Sequence, residues 1–591
     1  MARIFYDFSK SDFIFTTDRI SYILSFSCEL TYEKCDAFES CKNPVFEKSG
    51  KCALHCSKYD IVDNIRYNVL FAELFKNYIS ESLSFYFRES KDNNLNSDEK
   101  IFLGKLDSYS INLDNDLKYF PNLDVLILKI ENIGFPKNFG CYNLFDETVN
   151  YILEKVGIIV WNECSISIDL YNHMKKSFFV DCVFIKDFYF YNLYSDESTI
   201  KLKDEYIFFE CTFEGDVSIR KEKLNLKIEV NRKLFCNCIF KKDINFLGVV
   251  FKEDVFLNAD FYDLIGSRDT LSVESARCIN KITIEDCEFK NSFKLNGVDL
   301  SKYKERVAMD NFFTLSINYL VVVDSKFNDK LELKNCKVDS IKFDNSNVEK
   351  VFDAFESKFE KAYFYKSIFS DFAGFEDVQF GSEQEEGNRE FLTIFKYATF
   401  MDFSSFRGAK FSSGLDFSKT NLKDTPNFLD VDVGFKNTTR ETFRIIKNSF
   451  DDVGNNIEAN KFFSYEMRAY MIELSNKKGF FLEKLVLYSN FIISDFGRNY
   501  IRPLLILVCL LFIYVKSYVF YKVWYQSSIY TLPDILSGMS EELNAGAKGF
   551  LPLARFIEAK KGFEFISVLF YILFAILIWQ IVVAVKRHTQ R

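Results

Sequence analysis

The sequence predicts a mainly β protein with a repeated core, helical segments on either side of that core, and two apolar helices near the C-terminal end. Phe occurs 69 times among 591 residues, and so many rings need many equivalent buried sites. Large apolar residues recur every five positions in the middle of the chain, a period that neither an α-helix nor an ordinary strand has. Two long apolar runs lie beyond residue 500, and they predict the apolar helices.

The five-residue period marks the extent of the repeated core. It is strictest at Phe246, Phe251, Phe256 and Phe261. Shorter runs with the same spacing follow, and they comprise Val338, Phe343 and Val348, then Phe359, Phe364 and Phe369, then Phe406 and Phe411, then Phe417 and Leu422. A step of six residues, as from Phe400 to Phe406, predicts a bulged corner or an imperfect coil.

A small side chain stands two positions before many of these rings. The small residues are Cys182, Cys211, Cys238, Ala259, Cys287, Ser325, Ser357, Ala398 and Ala409. The residue between the small and the large one is usually polar, as Asp260 is, and is predicted to point outward. A reduced cysteine behaves as a small buried apolar residue. We therefore interpret the cysteines in this slot as packing residues rather than redox or metal sites, namely Cys182, Cys211, Cys238, Cys287 and Cys336.

This pattern resembles the pentapeptide-repeat family, whose unit is a small residue, a polar residue, a large apolar residue and two variable ones. The resemblance covers about residues 160 to 430, with polar insertions such as 192–206 and 379–391. It implies a right-handed quadrilateral β-helix in which four units make one coil. In that fold the large residue fills the axis and the small one packs beside it. Stacked rings would bury a continuous dry column, and backbone groups would pair between coils.

Composition limits the classes of function and the compartment. The net charge is −9, which offers no basic footprint for a nucleic acid, so a nucleic-acid partner is not expected. Asp7, Lys10 and Asp12 interrupt the N-terminal residues before an apolar run develops, which argues against a secretory signal. The 15 cysteines are an odd number, and together with this absence they indicate reduced thiols in the cytoplasm.

A cysteine and histidine cluster near the N-terminus predicts a structural zinc site. Thiolate and imidazole are the ligands that zinc prefers, and a structural site needs four. The favoured ligands are Cys35, Cys41, Cys52 and Cys56, with His55 competing for the last place. Unliganded thiols are the alternative, because the spacing matches no standard zinc finger. The ending Cys52-Ala53-Leu54-His55-Cys56 also resembles a Cys-X-X-His-Cys element that precedes the repeats in bacterial pentapeptide-repeat proteins.

The predicted domains follow from these patterns. They are a Cys/His-rich and partly helical module at 1–100 with a helix over 58–90, a β lead-in at 101–160, the β-helix at 161–433, a helical linker or cap at 434–497, and a two-helix hairpin at 498–591. Gly454-Asn455-Asn456 divides the linker into two helices. Its motifs around Arg440–Arg444 and Ile457–Phe463 resemble a linker between pentapeptide repeats and a membrane hairpin in bacterial proteins. The apolar stripe of these helices indicates a cap on the β-helix or, alternatively, a dimer contact.

The two apolar runs predict a transmembrane hairpin. They cover about 503–521 and 563–585, and each is close to the ~20 residues that cross a bilayer. Lys516 lies late in the first run and is predicted to snorkel to the interface; facing the interior instead, it would mark a pathway. Arg498 and Arg502 precede the first run, and Lys586, Arg587 and Arg591 follow the second. These charges favour cytoplasmic termini in a multi-pass protein of the inner membrane, although the connecting loop is also basic.

The sequence contains none of the familiar catalytic motifs, so an enzyme is not expected. We expect a membrane-anchored scaffold that has the lipid bilayer and a protein partner or a second copy of itself as partners. A channel-like effector gated by the β-helix is the alternative, although the loop between the runs lacks a potassium-channel filter. A DNA-mimicking inhibitor, a role that the family resemblance implies for other members, is less favoured because the acidity here is mild.

Overall fold

The structure is a computed structural model. It describes residues 52, 54–55, 71–79, 82, 127–135, 147–166, 176–190, 206–220, 228–257, 277–297, 315–382, 384, 387–475, 479–526 and 562–589. This part of the chain is mostly β-strand up to residue 433 and mostly helix from residue 440 onward.

The described strands are short and numerous. In the first half they are β1 (Ile127–Glu131), β2 (Ile158–Asn162), β3 (Ser165–Ile166), β4 (Ser177–Val180), β5 (Val183–Phe184), β6 (Phe188–Phe190), β7 (Phe208–Phe209), β8 (Thr212–Phe213), β9 (Val217–Arg220), β10 (Ile228–Val230), β11 (Phe235–Cys236), β12 (Ile239–Phe240), β13 (Ile244–Leu247), β14 (Val249–Phe251), β15 (Phe256–Leu257), β16 (Arg277–Glu285), β17 (Glu288–Phe289) and β18 (Phe293–Lys294). In the second half they are β19 (Leu315–Val323), β20 (Lys326–Phe327), β21 (Leu331–Glu332), β22 (Lys337–Asp344), β23 (Asn347–Val348), β24 (Phe352–Asp353), β25 (Lys358–Tyr365), β26 (Ile368–Phe369), β27 (Ala373–Gly374), β28 (Gln379–Phe380), β29 (Thr393–Lys396), β30 (Thr399–Phe400), β31 (Ser404–Ser405), β32 (Lys410–Phe411), β33 (Leu415–Asp416), β34 (Asn421–Leu422) and β35 (Asp432–Val433).

The chain divides into two compact units. Unit 1 consists of Met1–Phe380 with Ala398–Asp402, and unit 2 of Gly381–Tyr397 with Phe403–Arg591. Each unit is described by itself.

The strands of unit 1 form stacked parallel sheets. Within this unit the sheet orders are β1-β2-β4-β7-β11-β15, then β3-β5-β8-β12, then β6-β9-β13-β16-β19-β22-β25-β28, then β10-β14-β17-β20-β23-β26-β30, and then β18-β21-β24-β27. Strands that are consecutive along the chain mostly belong to different sheets: β10, β11, β12 and β13 lie in four of them, and β14 returns to the sheet of β10. Unit 1 is therefore a parallel β-solenoid.

The register shows the length of one coil. Val338 pairs with Phe359, which pairs in turn with Phe380. Equivalent residues of successive coils here are 21 positions apart, as the hydrogen bond from Cys336 N to Ser357 Oγ also shows. In the preceding coils the spacing grows to 38, as between Cys287 and Ser325, because insertions extend the chain between strands that still pair.

The rings stack into columns along the interior. One column runs through Phe179, Phe208, Phe235 and Phe256, with ring centroids 5.1, 5.2 and 5.5 Å apart. Another joins Phe251 to Phe289 at 4.9 Å and Phe289 to Phe327 at 4.7 Å. These distances lie near the separation of neighbouring strands, so each ring rests on the ring of the next coil.

The five-residue prediction is confirmed for the described residues of unit 1. The predicted axial residues there are buried, namely Phe246, Phe251, Phe256, Val338, Phe343, Val348, Phe359, Phe364 and Phe369. Phe261 and Ala259 lie outside the described residues.

The small residues that the structure describes lie inside as predicted, and each follows a residue in an unusual backbone conformation. Asp181, Asn237 and Asp324 have φ of 49, 53 and 49°, and they stand directly before Cys182, Cys238 and Ser325. This left-handed region suits Asn and Asp better than most residues. A left-handed residue therefore turns the chain at the corner, and a small residue follows it into the interior.

The four cysteines that precede the strands of one sheet form a thiol ladder. Cys182 Sγ donates to Trp161 O of the neighbouring coil at 3.3 Å and to Val180 O at 3.3 Å. The other three, which are Cys164, Cys211 and Cys238, donate in the same way. Burial raises the pKa of the Cys182 thiol far above its ordinary value. Protonated and hydrogen-bonded to the backbone, these thiols act as packing groups.

A helical segment packs on the first coils of unit 1. Residues 71–79 are helical, inside the helix predicted over 58–90. The rings of Phe71 and Phe75 lie 5.5 and 5.4 Å from that of Phe135, which lies 5.7 Å from the ring of Trp161. This segment covers apolar rings that the first coil would otherwise expose, as a solenoid end requires.

The predicted β lead-in at 101–160 contains a helix as well as strands. Helix α1 (Glu147–Lys155) precedes β2. Val149, Ile152 and Leu153 on this helix are buried, a helical spacing that the strand-based prediction overlooked.

Unit 2 contains further coils. β29 pairs in parallel with β33, and β32 with β35. Phe406 stacks on Phe428 with ring centroids 5.2 Å apart. Phe406, Phe411 and Phe417 are buried as predicted, but Leu422 is only half-buried.

Two helices cap these coils. They are α2 (Arg440–Asp452) and α3 (Asn456–Ser475), and they break at the predicted turn. Phe417 N donates to Thr442 Oγ1 at 2.9 Å and Leu415 N to Thr438 Oγ1 at 3.0 Å, so side chains at the start of α2 satisfy strand amides.

The predicted apolar stripe of α2 and α3 is used within the chain. The ring of Phe462 lies 5.6 Å from that of Phe450, and the ring of Phe443 lies 5.5 Å from that of Phe435. Because Phe443, Phe450 and Phe462 are buried, these three rings pack within the cap, and a dimer contact through the rest of the stripe stays a prediction.

Three more helices complete unit 2. They are α4 (Phe481–Ser494), α5 (Ile501–Gln526) and α6 (Glu564–Thr589). By length and composition, Ile501–Lys522 and Glu564–Arg587 are apolar enough to cross a membrane. These segments match the predicted runs at 503–521 and 563–585.

Candidate functional site

The predicted metal site is described only at two of its residues. Cys52 Sγ lies 3.2 Å from His55 Nδ1, and the turn between them is closed by His55 N donating to Cys52 O at 3.0 Å. Gly134 N donates to Leu54 O at 2.9 Å, which ties this turn to unit 1. Cys35, Cys41 and Cys56 lie outside the described residues.

The pair of Cys52 and His55 fits two of the four zinc ligands. Two ligands of a tetrahedral zinc ion stand roughly 3.6 Å apart, given the Zn–S and Zn–N bond lengths. The observed separation of 3.2 Å is close to that value and equally fits a thiol–imidazole hydrogen bond. Among the described residues, three or more His, Cys, Asp or Glu side chains nowhere come together in a metal-binding group.

A polar junction lies at the base of the two apolar helices. It joins α3 and α4 to the C-terminal part of α6, and it consists of Ser464, Arg468, Asn490, Ser494, Asp495, Gln580 and Arg587. Of these residues, only Arg587 enters the sequence-based predictions, for its positive charge.

Asp495 is the buried acid of the junction. It terminates α4 in a left-handed conformation with φ 49°, and it is only 4% exposed. Arg468 Nε donates to its Oδ1 at 3.0 Å, and the Arg468 guanidinium also donates to Oδ2. Ser464 Oγ donates to Oδ1 at 3.1 Å. Two hydrogen bonds from the arginine and one from the serine hydroxyl thus stabilise the carboxylate, which burial removes from water.

Gln580 links α6 to α4 by both ends of its amide. Ser494 Oγ donates to Gln580 Oε1 at 2.9 Å, and Gln580 Nε2 donates to Asn490 Oδ1 at 3.1 Å. Hydrogen bonds between side chains stabilise helix contacts in apolar surroundings, because no water is available there to replace a lost partner.

Arg587 holds the end of α6 against the turn before α5. Its guanidinium donates to Phe496 O and lies 4.8 Å over the ring of Phe463. Asn460 Nδ2 donates to Arg587 O at 3.0 Å. At Gly497 an added Cβ would stand 2.8 Å from the arginine, and φ is +82°, so the turn needs glycine here.

A second buried acid connects the cap helices. Glu466 on α3 is buried and accepts from Arg444 Nε of α2 at 2.8 Å. Arg440 lies farther away at 3.9 Å, and its guanidinium stacks 3.8 Å from the ring centroid of Tyr470. The cap is therefore fixed by ion pairs as well as by rings.

The two apolar helices touch through hydroxyl groups and rings. Tyr514 on α5 is buried, and its hydroxyl lies 3.1 Å from Ser567 Oγ and 3.4 Å from the Tyr571 hydroxyl on α6. The ring of Phe570 lies 5.1 Å from that of Tyr514. This contact fixes the pairing of the helices.

Outside that contact, α5 and α6 expose apolar side chains. Phe512 and Phe520 on α5 and Trp579 on α6 are among the most exposed large residues. Lys516 is exposed too, and its snorkelling stays a prediction. A soluble core helix would be buried on most sides, and these two are not.

The junction residues carry a signal that sequence reasoning missed. Gln580 is a strongly polar residue inside an apolar run, and such residues usually have a partner. Asp495 gives no comparable signal, because its partner Arg468 is 27 positions away on another helix.

Comparisons of the chain with protein-family profiles, curated proteins and solved structures find no match.

Proposed function

We propose that this protein is a membrane-anchored pentapeptide-repeat scaffold, in which a right-handed four-sided β-helix presents an outer surface to a protein partner. The observation that carries the proposal is the combination of a packed solenoid interior with two helices whose apolar sides are exposed. The interior is filled by stacked rings, so chemistry or recognition must use the outside. The apolar helices need lipid to cover them.

The chain visits four sheets before it returns to the first, and this supports the four-sided form. Right-handedness and the pentapeptide-repeat assignment follow from the family resemblance and belong to the proposal. Arg498, Arg502, Lys586 and Arg587 at the base of the helices favour a cytoplasmic position for both termini. The membrane in question is then the inner membrane of a bacterium.

The outer surface offers apolar residues for a partner. Phe209 and Leu257 belong to outward-facing positions of one sheet, where each pairs with Cys236 between them. They are 39 and 45% exposed. Exposed apolar residues on a rigid face suit a protein partner.

The scaffold role is tested by purification of the full chain from native membranes in a mild detergent. Wild type is compared with Phe209→Glu/Leu257→Glu, and Lys294→Glu on the outer face serves as the matched control. A scaffold predicts a stoichiometric companion protein that the double variant loses and the control keeps, at unchanged thermal stability. If all three proteins retained the companion protein equally, or if none co-purified with a companion, this surface would not be the binding site.

A channel is the competing function. Direct contact between Tyr514 and Ser567 closes the space between the two helices of one chain, so a pore would need several copies. Planar-bilayer recording of the purified full chain distinguishes the two functions. The scaffold predicts no unitary currents, and reproducible currents that require the chain would replace it with the channel.

A structural zinc site with four ligands is part of the same proposal. The ligands are Cys35, Cys41, Cys52 and Cys56, with His55, which lies beside Cys52, competing for the last place. The site would stabilise a segment that has little core of its own. Elemental analysis of the purified chain is expected to give one zinc per chain, reduced in Cys52→Ser and unchanged in Cys336→Ser. Metal-free wild type would rule the site out.

A further inference from the structure

Helix α4 exposes a broad apolar face. On this face Phe481, Leu482 and Ile492 are 75, 74 and 61% exposed. The further exposed apolar residues are Leu485, Val486 and Tyr488. On a helix of 3.6 residues per turn these positions share one broad face.

The other side of α4 makes polar contacts with neighbouring helices. Asn490 and Ser494 bind Gln580 of α6. Glu483 is exposed and accepts a hydrogen bond from the Tyr470 hydroxyl of α3 at 2.9 Å. In water, the broad apolar face would stay uncovered, which an aqueous surface disfavours.

The length and position of α4 indicate what covers this face. Its 14 residues extend about 21 Å, too short to cross ~30 Å of hydrocarbon. It ends at Ser494, and α5 begins only a short turn later at Ile501. The uncovered apolar face is thus followed along the chain by the exposed apolar surface of a membrane-type helix. Tyr488 on α4 and Tyr500 just before α5 are also exposed, and aromatic residues with a polar tip favour the bilayer interface.

We propose that α4 lies in the membrane interface, parallel to the bilayer, with Phe481, Leu485 and Ile492 directed into the acyl chains. The inference rests on the proposed membrane anchoring. The junction of Asp495 with Arg468 and of Gln580 with Asn490 then holds α4 at a fixed depth beside α5 and α6. A lipid surface, rather than a second copy, is the occupant, because α4 directly precedes α5 and binds α6 through Gln580, and all three helices expose apolar side chains.

The experiment measures the depth of a single site in the full chain reconstituted in phosphatidylcholine–phosphatidylglycerol vesicles. An environment-sensitive fluorescent amino acid replaces Ile492, which is exposed, so its replacement leaves packing intact. The matched positions are Phe520 on α5, as a membrane control, and Tyr319 on the solenoid, as a water control; both are exposed. Brominated lipid and aqueous iodide serve as the two quenchers.

The inference predicts blue-shifted emission at position 492, with a large loss in brominated lipid and little loss with iodide. Position 520 should respond likewise, and position 319 should respond to iodide alone. Iodide quenching at 492 with lipid quenching at 520 would overturn the inference and leave the anchor intact. Protection of 492 from both quenchers would overturn it in favour of a protein cover, such as a second copy. Iodide quenching at both 492 and 520 would instead defeat the membrane anchor itself.

Discussion

The carboxylate of Asp495 and the guanidinium of Arg468 form a two-point ion pair at the base of the apolar helices, with Nε 3.0 Å from Oδ1. Asp495 is buried while Arg468 is partly exposed. Removing the arginine therefore leaves the Asp495 carboxylate buried without a counter-charge, whereas removing both charged groups leaves no buried charge. This asymmetry makes the pair a sensitive probe of the junction.

Arg468→Met should lower the free energy of unfolding by about 3 kcal/mol, because Asp495 then remains buried without its counter-charge. The double variant Arg468→Met/Asp495→Asn should recover much of that loss, since asparagine keeps the left-handed turn. Denaturant unfolding in a mild detergent measures both. Lys447→Met removes the exposed ion pair with Asp451 and should cost at most about 0.5 kcal/mol. Equal losses in Arg468→Met and Lys447→Met would contradict the buried pair.

Phe369→Ala should destabilise the solenoid by about 3 to 5 kcal/mol. Its ring is fully buried and lies 4.9 Å from Phe400 and 5.2 Å from Phe352. The adjacent Ile368 faces outward and is 37% exposed, so Ile368→Ala should cost at most about 1 kcal/mol. Thermal unfolding followed by circular dichroism measures both. A larger loss at Ile368 would mean that the strand faces are reversed.

Cys336→Leu tests the small-residue slot. Cys336 is buried, and its backbone N–H donates a hydrogen bond to Ser357 Oγ of the next coil at 3.1 Å. The larger side chain should overpack the corner and cost about 1 to 3 kcal/mol. Cys336→Ser should be far milder, because serine already occupies the equivalent position one coil later. If leucine were tolerated as well as serine, the corner would have to be more spacious than the structure shows.

The buried thiols predict that stability falls at alkaline pH. Burial raises the pKa of the Cys287 thiol to about 12, against about 8.5 for an unfolded cysteine. Below pH 8.5 both states keep the proton. Between these values the unfolded state loses it first, so the free energy of unfolding decreases by up to about 1.4 kcal/mol per pH unit for this thiol.

Unfolding of wild type and Cys287→Ser at several pH values between 8 and 10.5 measures this dependence. The serine variant should show a shallower decline than wild type. Ile368→Ala, which changes an exposed side chain that does not titrate, is the control and should keep the wild-type slope. Identical slopes in wild type and Cys287→Ser would show that this thiol does not contribute.

Much of the solenoid follows from the sequence because its burial is periodic. Phe343 and Phe364 each stand five residues from another buried residue, and the structure places them in paired strands. The register of the earlier coils does not follow, since Ile282 and Leu320 pair across an insertion that carries no period. The helix at Glu147–Lys155 and the exposed apolar face of α4 do not follow either, because the neighbouring strand pattern and the long apolar runs are the stronger signals in the sequence.

The candidate sites were less accessible to sequence reasoning. The contact of Cys52 with His55 agrees with the proposed cluster, but the other cysteines of that set lie outside the described residues, so zinc stays a prediction. The ion pair of Asp495 joins two helices that are distant in sequence, and such pairs have no spacing rule.

The anchor is tested most directly by alkaline carbonate extraction of membranes from cells that make the full chain. With α5 and α6 in the bilayer, the protein should stay in the membrane pellet after carbonate and leave it only with detergent. Quantitative release of the intact, folded chain into the carbonate supernatant would contradict the account, because its two exposed apolar helices would then be covered by something other than lipid.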